Sequence, residues 1–332
     1  MRMRMAFRKI PEKYRDLFDK IRGDRRHLAH FCYVYRGIWT GVLRVFVIDD
    51  EILREFDIEK DAIRPILRGK DIFPFFYRFS NRWVIYTNQE NFFEKFPNAI
   101  KYLEKHKIIL ERRGAVWIHG KNWWELEEPL SPDMFEVEKI ISPYTSNRNS
   151  FALDLSNYYV MDSTIVIRFW RDDNERSAYF TNFGNLHSQD LESFIKESQK
   201  ALEDLPPTID NLKYILGVLN SDLIEFYIKL YSPMVSKRIK KPPKGRYFLY
   251  IPPYPNIIPI EVAEKETRIK IANLTDELSK ISKAIDKLRN EEIVDEEKIM
   301  ELENQRNKLF TNLNELIFDI YGINESERAV IQ

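Results

Sequence analysis

Along the chain, the first clear hydrophobic pattern is FCYVYRGIWTGVLRVFVIDD (31–50). Its aromatic and β-branched positions, broken by Gly37 and Gly41, predict two short strands around a turn. Residues 51–72 read as a short helix followed by a loop, and RWVIYTN (82–88) reads as a further strand. Over 90–113, Phe92, Phe93, Phe96, Ile100, Leu103, Ile108 and Leu110 recur at three- and four-residue steps, the spacing of one helix face. Pro97 marks the start of that helix proper. Strands are predicted near 137–142, 151–155 and 158–167, followed by an acidic, polar stretch at 171–210. LKYILGVLNSDLIEFYIKLY (212–231) then predicts one apolar helix, and IPPYPNIIPIEV (251–262) an extended, proline-rich linker. Beyond it, Leu274, Leu278, Ile281, Ile285 and Leu288 alternate the four- and three-residue steps of a heptad seam. The seam lapses over 290–297 and resumes with Leu302, Leu309, Leu313, Leu316 and Ile320, interrupted by Arg306. Two helices of ~28 residues, ~42 Å each, folded back on one another satisfy it.

The expected class is therefore α+β: a mixed α/β recognition domain followed by a long antiparallel helical hairpin. Three stretches are expected: a basic segment at 1–29, the α/β domain at 30–260, and the hairpin with its C-terminal segment at 261–332. A length of 332 residues suits about two domains, and 44% hydrophobic content argues against global disorder. Lys plus Arg and Asp plus Glu both number 52, which excludes a chain that holds nucleic acid by bulk positive charge. Local basic faces remain. Through Phe46 twelve Lys and Arg face four acids. A second island comprises Lys229, Lys237, Arg238, Lys240, Lys241, Lys244 and Arg246, where Pro242 and Pro243 prevent a regular helix and put the charges on a loop. The tail from 261 carries eleven basic residues against seventeen acids, so it is no electrostatic partner for a polyanion.

Chemistry is mostly excluded. No two of the ten glycines lie one residue apart, so there is no G-x-G loop for a dinucleotide or S-adenosylmethionine, and no G-x-x-x-x-G-K-[ST] occurs. The five histidines form no H-E-x-x-H, and His27 and His30 read as polar residues before a buried strand rather than as a metal pair. Ile251-Pro252-Pro253-Tyr254 resembles the N-P-P-Y loop of amino-methyltransferases, but its isoleucine cannot accept a hydrogen bond from a target amino group. Glu296-x-Lys298 matches the end of a nuclease motif but lacks a surrounding strand and reads as a solvated turn. No catalytic, cofactor-binding or metal-binding residue is assigned. The lone Cys32, the absence of a ~20-residue apolar run and the absence of an apolar leader predict a cytoplasmic protein with no membrane contact.

Taken in order, several segments resemble the TaqI-like C-terminal specificity domain, the target-recognition half of many adenine-specific DNA methyltransferases and of fused restriction–modification enzymes. They are GIWTGVLRVFVID (37–49), IRPILRGKDI (63–72), FPNAIKYLEKHKIILERR (96–113), NWWEL (122–126), EKIISP (138–143), YILGVLNSDLIEFY (214–227) and LNELIFDIYGINESERAVI (313–331). In that family a catalytic domain precedes this region. Here the chain starts almost directly at the recognition part, so the resemblance implies reading of DNA sequence with methyl transfer, and its S-adenosylmethionine, supplied by a partner. The expected partners are double-stranded DNA and a separate DNA methyltransferase or restriction subunit.

For such a role Lys237, Arg238, Lys240, Lys241, Lys244 and Arg246, with Arg25 and Arg26, are the candidate phosphate contacts. Thr40, Gly41, Arg44, Arg68 and Lys70 lie in family-like segments and are the candidate recognition-turn residues, although Gly41 and Gly69 also read as simple turn glycines. Trp117, Trp123 and Trp124 read as packing residues before base-stacking platforms. The competing expectation is a protein-interaction module, a non-DNA-binding relic, whose hairpin pairs with another chain. Self-association through 261–320 is open on the seam alone.

Overall fold

The structure is a computed structural model that describes residues 8–183, 190–234, 247–250 and 254–331. The fold is mixed α/β with long C-terminal helices, in line with the α+β expectation. The chain enters through α1 (Arg15–Arg22), which buries Leu17 and Ile21, and a single helical turn, α2 (Leu28–Phe31). Strand β1 (Cys32–Arg36) follows, then the short α3 (Leu43–Phe46), β2 (Val47–Asp49) and α4 (Asp50–Phe56). Asp49 caps α4 by accepting from the Ile52 amide at 3.2 Å. The two strands foreseen at 31–50 are thus present, but a helical turn separates them and they join different sheets.

Residues 51–72, read as helix and loop, also hold β3 (Ile63–Leu67) and the first strand of a small hairpin, β4 (Ile72–Phe73) with β5 (Phe76–Tyr77). Arg64 and Pro65 interrupt the apolar alternation of β3 and hide it from a periodicity reading. Phe75, in the hairpin turn, holds φ 70°, unusual for a side chain of its size. It is buried and packs edge-on against Phe310. After β6 (Arg82–Ile85), the single helix expected over 90–113 is instead α5 (Phe92–Lys95), α6 (Pro97–Glu104) and α7 (Lys107–Glu111), followed by α8 (Gly114–His119). Pro97 stands at the first position of α6. It drives Phe96 out of helical geometry, to φ −126° and ψ 66°, and so splits the run.

Strands β7 (Lys139–Pro143), β8 (Thr145–Ser146), β9 (Ala152–Asp154), β10 (Tyr159–Val160) and β11 (Thr164–Phe169) come next. The polar stretch then proves helical, as α9 (Asp173–Phe183) and α10 (Leu191–Asp204). In α10 the buried positions Phe194, Ser198 and Ala201 keep helical spacing, but two of them are too small or too polar to raise an apolar signal. The apolar run 212–231 is two helices, α11 (Ile209–Asn220) and α12 (Asp222–Tyr231). Ser221 breaks it: its hydroxyl donates to the Val218 carbonyl at 2.7 Å and accepts from the Ile224 amide, capping α12. Strand β12 (Phe248–Leu249) leads into 254–262, which is not a free linker. Tyr254, Ile258 and Ile260 are buried, and this stretch is stitched to the chain start by Leu28 N to Ile258 O (2.7 Å) and Ile260 N to Arg26 O (2.8 Å).

The tail is α13 (Lys265–Leu288), α14 (Glu296–Ile320) and α15 (Glu325–Ile331). Helices α13 and α14 run antiparallel, with an Arg289–Glu303 ion pair near the connecting turn and Tyr321 OH bonded to Pro259 O at the far end. Of the seam residues, Leu278, Ile285 and Leu313 are buried by the chain itself, while Leu316 and Ile320 are only half-buried, and the neighbouring Ile317 is buried in their place.

Two four-stranded sheets organise the α/β part, in the orders β1-β11-β7-β9 and β10-β3-β6-β2. Their pairings are antiparallel except for the parallel contact of β10 with β3. Two cores flank the first of these sheets, which gives alternate residues to each: Val34, Ile140 and Ile165 to one, Tyr35, Ile141 and Val166 to the other. One core runs from Leu17 and Ile21 through Val34, Ile140 and Ile165 to Leu219, Ile271, Leu313 and Ile323. It therefore takes residues from the basic start, the α/β part and the helical tail alike. The other, which includes Ile48, Ile66, Val84, Leu103 and Val160, is confined to 35–166. The step from β10 to β11 carries the chain from one sheet to the other. That step positions the site.

Candidate nucleic-acid interface

The turn at 161–163, between β10 and β11, is gripped by backbone from both sides. Ile38 donates to Val160 O and accepts from the Asp162 amide, both at 2.8 Å, while Met161 N donates to Leu67 O at 2.9 Å. Gly37 and Gly69 make this approach possible. A Cβ on Gly37 would stand 2.2 Å from Val160 O and 2.4 Å from Met161 O, and one on Gly69 would stand 2.5 Å from Ser163 O. No real Cβ tolerates such contacts with backbone oxygen, so only glycine fits at either point. Gly69 N also reaches Ser163 Oγ at 3.2 Å. The residues next to these glycines, Arg36 and Lys70, are thereby brought from distant parts of the chain to one turn.

Beside the turn lies a cleft of about 640 Å³ whose lining includes Arg36, Lys70, Phe73, Tyr144, Arg148 and Tyr247. Among its described lining residues three are cationic and Asp162 is the one acid. Arg36 donates from Nε and Nη2 to Asp162 O (3.3 and 3.1 Å) and from Nη2 to Asp162 Oδ2 (3.4 Å), and its guanidinium lies 4.8 Å from the centre of the Tyr144 ring. Burial raises the Asp162 carboxyl above its ordinary range, and the Arg36 charge opposes that shift. Lys70 and Arg148 are exposed and make no ion pair among the described residues.

Of the second basic island, Lys229 lies on α12 and pairs with Glu225, while Lys237, Arg238, Lys240, Lys241, Lys244 and Arg246 lie outside the described residues. Its flanks, however, are held in register: Met234 bridges to Phe248, and Phe248 and Leu249 pair with Ser146 and Thr145 of β8, which line the cleft. Arg8 joins from the chain start, with its guanidinium 5.8 Å from the Phe248 ring centre and Nη1 donating to Lys229 O at 2.8 Å.

The remaining sequence candidates have other surroundings. Arg68 closes its own turn, donating from N and Nε to Asp71 Oδ2 (both 2.9 Å) and from Nη2 to Ser80 Oγ (2.7 Å). Thr40 is buried and its carbonyl accepts from Arg113, while Gly41 adopts φ 75° beside Glu127 and Arg113. Arg44 is exposed on α3, near enough to His106 to help burial lower that imidazole's pKa. None of these four lines the cleft. Arg25 and Arg26 are engaged within the chain: Arg25 with Glu261 (2.5 Å) and over Tyr321, Arg26 with Glu197 (3.3 Å) and Asp204 (2.6 Å). These pairs fasten the chain start to α10 and to the approach to α13. Their guanidiniums are committed to carboxylates.

Trp123 and Trp124 pack against the second core, as expected, whereas Trp117 is 79% exposed. Of the methyltransferase-like tetrad 251–254, only Tyr254 is described, and it is buried. Glu296 and Lys298 open α14, with Asp295 Oδ1 accepting from the Lys298 amide at 3.0 Å, so that motif is a helix start. His30 Nδ1 accepts from the His27 amide at 3.0 Å, a local bond at the start of α2. Among the described residues there is no group of three His, Cys, Asp or Glu able to hold a metal, and no helix long and apolar enough to cross a membrane.

No family model matches the chain. It is 30% identical over 138 residues to the type II methyltransferase M.BanIII of Aneurinibacillus aneurinilyticus, covering 37% of this chain and 23% of that protein. It is 22% identical over 156 residues to the type II methyltransferase M.BstVI of Geobacillus stearothermophilus, covering 46% of this chain and 27% of that protein. The chain is related to restriction–modification proteins. In fold, 92% of it superposes on 35% of the type IIL restriction–modification enzyme MmeI, solved in complex with DNA, with a TM-score of 0.51 and 14% identity. The matched part spans about a quarter of the curated relatives' length and about a third of that enzyme.

The sequence candidates include Lys70 but not Arg36, Tyr144 and Arg148, which line the same cleft, nor Arg8, which lies over Phe248. The available signal was the pair of glycines, Gly37 and Gly69, each flanked by a cation.

Proposed function

We propose that this chain is a target-recognition part of a restriction–modification system. It grips double-stranded DNA with the cleft beside the 161–163 turn and with the basic stretch 237–246, and directs an adenine-N6 methyltransferase or endonuclease whose catalytic residues and S-adenosylmethionine lie on a separate polypeptide in the cytoplasm. One observation carries the proposal: two cations without ion-pair partners among the described residues, Lys70 and Arg148, stand with Arg36 around one cleft, and β12, which follows the basic stretch in sequence, pairs with β8 in its lining. The sequence likeness to two type II methyltransferases and the shared fold with part of MmeI support it.

Each lysine or arginine that neutralises a phosphate releases condensed counterions, so affinity falls steeply with salt, by about 0.9 in logarithmic slope per contact. Sequence is then read by donors and acceptors at the base edges in the major groove. The test is duplex binding by the purified chain in dilute buffer, with Lys237, Arg238, Lys240 and Lys241 intact or all replaced by alanine. The expected result is retained duplex that weakens by orders of magnitude on substitution, with a salt slope about three to four units shallower. Equal binding by both forms would remove the island from the interface.

A further inference from the structure

Within the proposed DNA interface, and resting on that reading, we infer that Arg36 reads the major-groove edge of a guanine, while Lys70 and Arg148 serve the phosphates.

The three cleft cations differ in how they are held. Lys70 and Arg148 are exposed and reach no carboxylate among the described residues, so their charges can follow a backbone of any sequence. Arg36 is fixed. Its Nε and Nη2 edge is anchored on the carbonyl and carboxylate of Asp162, and its guanidinium carbon stands over the Tyr144 ring, 4.8 Å from its centre. Its Cα adjoins Gly37, whose backbone is wedged against Val160 and Met161. The side chain is nevertheless 47% exposed, and its Nη1, with two N–H donors, has no partner among the described residues. A planar cation held at one edge and set over a ring, with donors presented in an electropositive cleft, selects by geometry as well as by charge.

The base edges sort themselves against such a donor. Guanine presents two acceptors, N7 and O6, in the major groove. Adenine and cytosine each present an amino donor that would face the N–H groups of Arg36. Thymine offers one acceptor beside a methyl group. A rigid arginine therefore separates guanine from the other three, and a lysine at the same position keeps the charge but loses the planar fork.

The experiment is selection from a pool of random duplexes by the full chain and by its Arg36→Lys, Arg36→Ala and Lys70→Ala variants, with thermal unfolding run alongside to show that each is folded. The wild type is expected to enrich a motif containing a G·C pair that both Arg36 variants lose at that one position, with the other positions kept. For the best site the loss is expected to be about five- to a hundredfold. Lys70→Ala should keep every position of the motif and weaken all duplexes alike. If Arg36→Lys still enriches the same guanine, or if it weakens all duplexes equally, Arg36 is a phosphate contact and the assignment is overturned while DNA binding stands. If the wild type retains no duplex, the proposed function fails and takes this assignment with it.

Discussion

Arg25 and Arg26 lie in the most basic stretch of the chain, and Lys70 in an unremarkable one, yet their surroundings in the fold are opposite. Both arginines meet carboxylates: Glu261 for Arg25, Glu197 and Asp204 for Arg26. Lys70 meets none among the described residues and lines a cleft with Arg36 and Arg148. Positive charge on a sequence is therefore a poor guide to which cations the fold leaves without a counter-charge. Under the proposed function this distinction matters, because a guanidinium already paired with a carboxylate gains little by exchanging it for a phosphate.

The comparison can be pressed hardest at the most fully tied cation. Lys139 is completely buried, pairs with Asp154 at 2.7 Å and donates to the Phe135 carbonyl; burial pulls its pKa down while Asp154 holds it up. Lys139→Ala leaves the Asp154 charge inside the protein and is expected to cost about 3–5 kcal/mol of stability. Chemical denaturation checks this, and an unchanged midpoint would mean that the pair contributes nothing. Next is the turn beside which Lys70 stands without a carboxylate and Arg36 is held on Asp162. Gly37→Ala forces a Cβ onto two carbonyl oxygens, and a loss of about 1–3 kcal/mol is expected, as for other overpacked sites. Duplex affinity should fall with it, because Arg36 moves when the turn opens; wild-type stability in this variant would show the clamp to be soft.

An effect that vanishes near neutral pH concerns the tied end. Burial, aided by the charges of His30 and Arg22, lowers the His27 pKa from 6.5 to about 4. Between those values the unfolded chain binds a proton that the folded chain does not, so stability rises with pH across this window and is lost on acidification from 6.5 toward 4. Below 4 both states carry the proton and the contribution levels off. Thermal unfolding of the wild type and His27→Gln across pH 4–7 measures it: the variant's curve should be flatter, and two parallel curves would exclude His27 as the cause.

Legibility in the sequence followed the length of the pattern. The heptad seam repeats over many turns, and the hairpin formed where it was expected. Pro97 started α6 as read, but its effect on Phe96 also divided what looked like one helix. Strand β3 was hidden by Arg64 and Pro65, and α10 by its small buried residues Ser198 and Ala201. The candidate site was harder to read for a different reason. Arg36, Lys70 and Tyr144 reach one turn only because the sheet orders place β1, β3, β10 and β11 together, and no local pattern encodes that order. The same holds for Arg26, whose partners Glu197 and Asp204 are 171 and 178 residues away.

The most direct test of the contrast is the salt dependence of duplex binding in three proteins: wild type, Lys70→Ala with Arg148→Ala, and Arg25→Ala with Arg26→Ala. The account predicts that the first pair of substitutions lowers the logarithmic slope by about two units and leaves stability intact. The second pair should leave the slope alone and lower the unfolding temperature. An unchanged slope in the cleft variant, or a slope lost in the Arg25 and Arg26 variant, would contradict it.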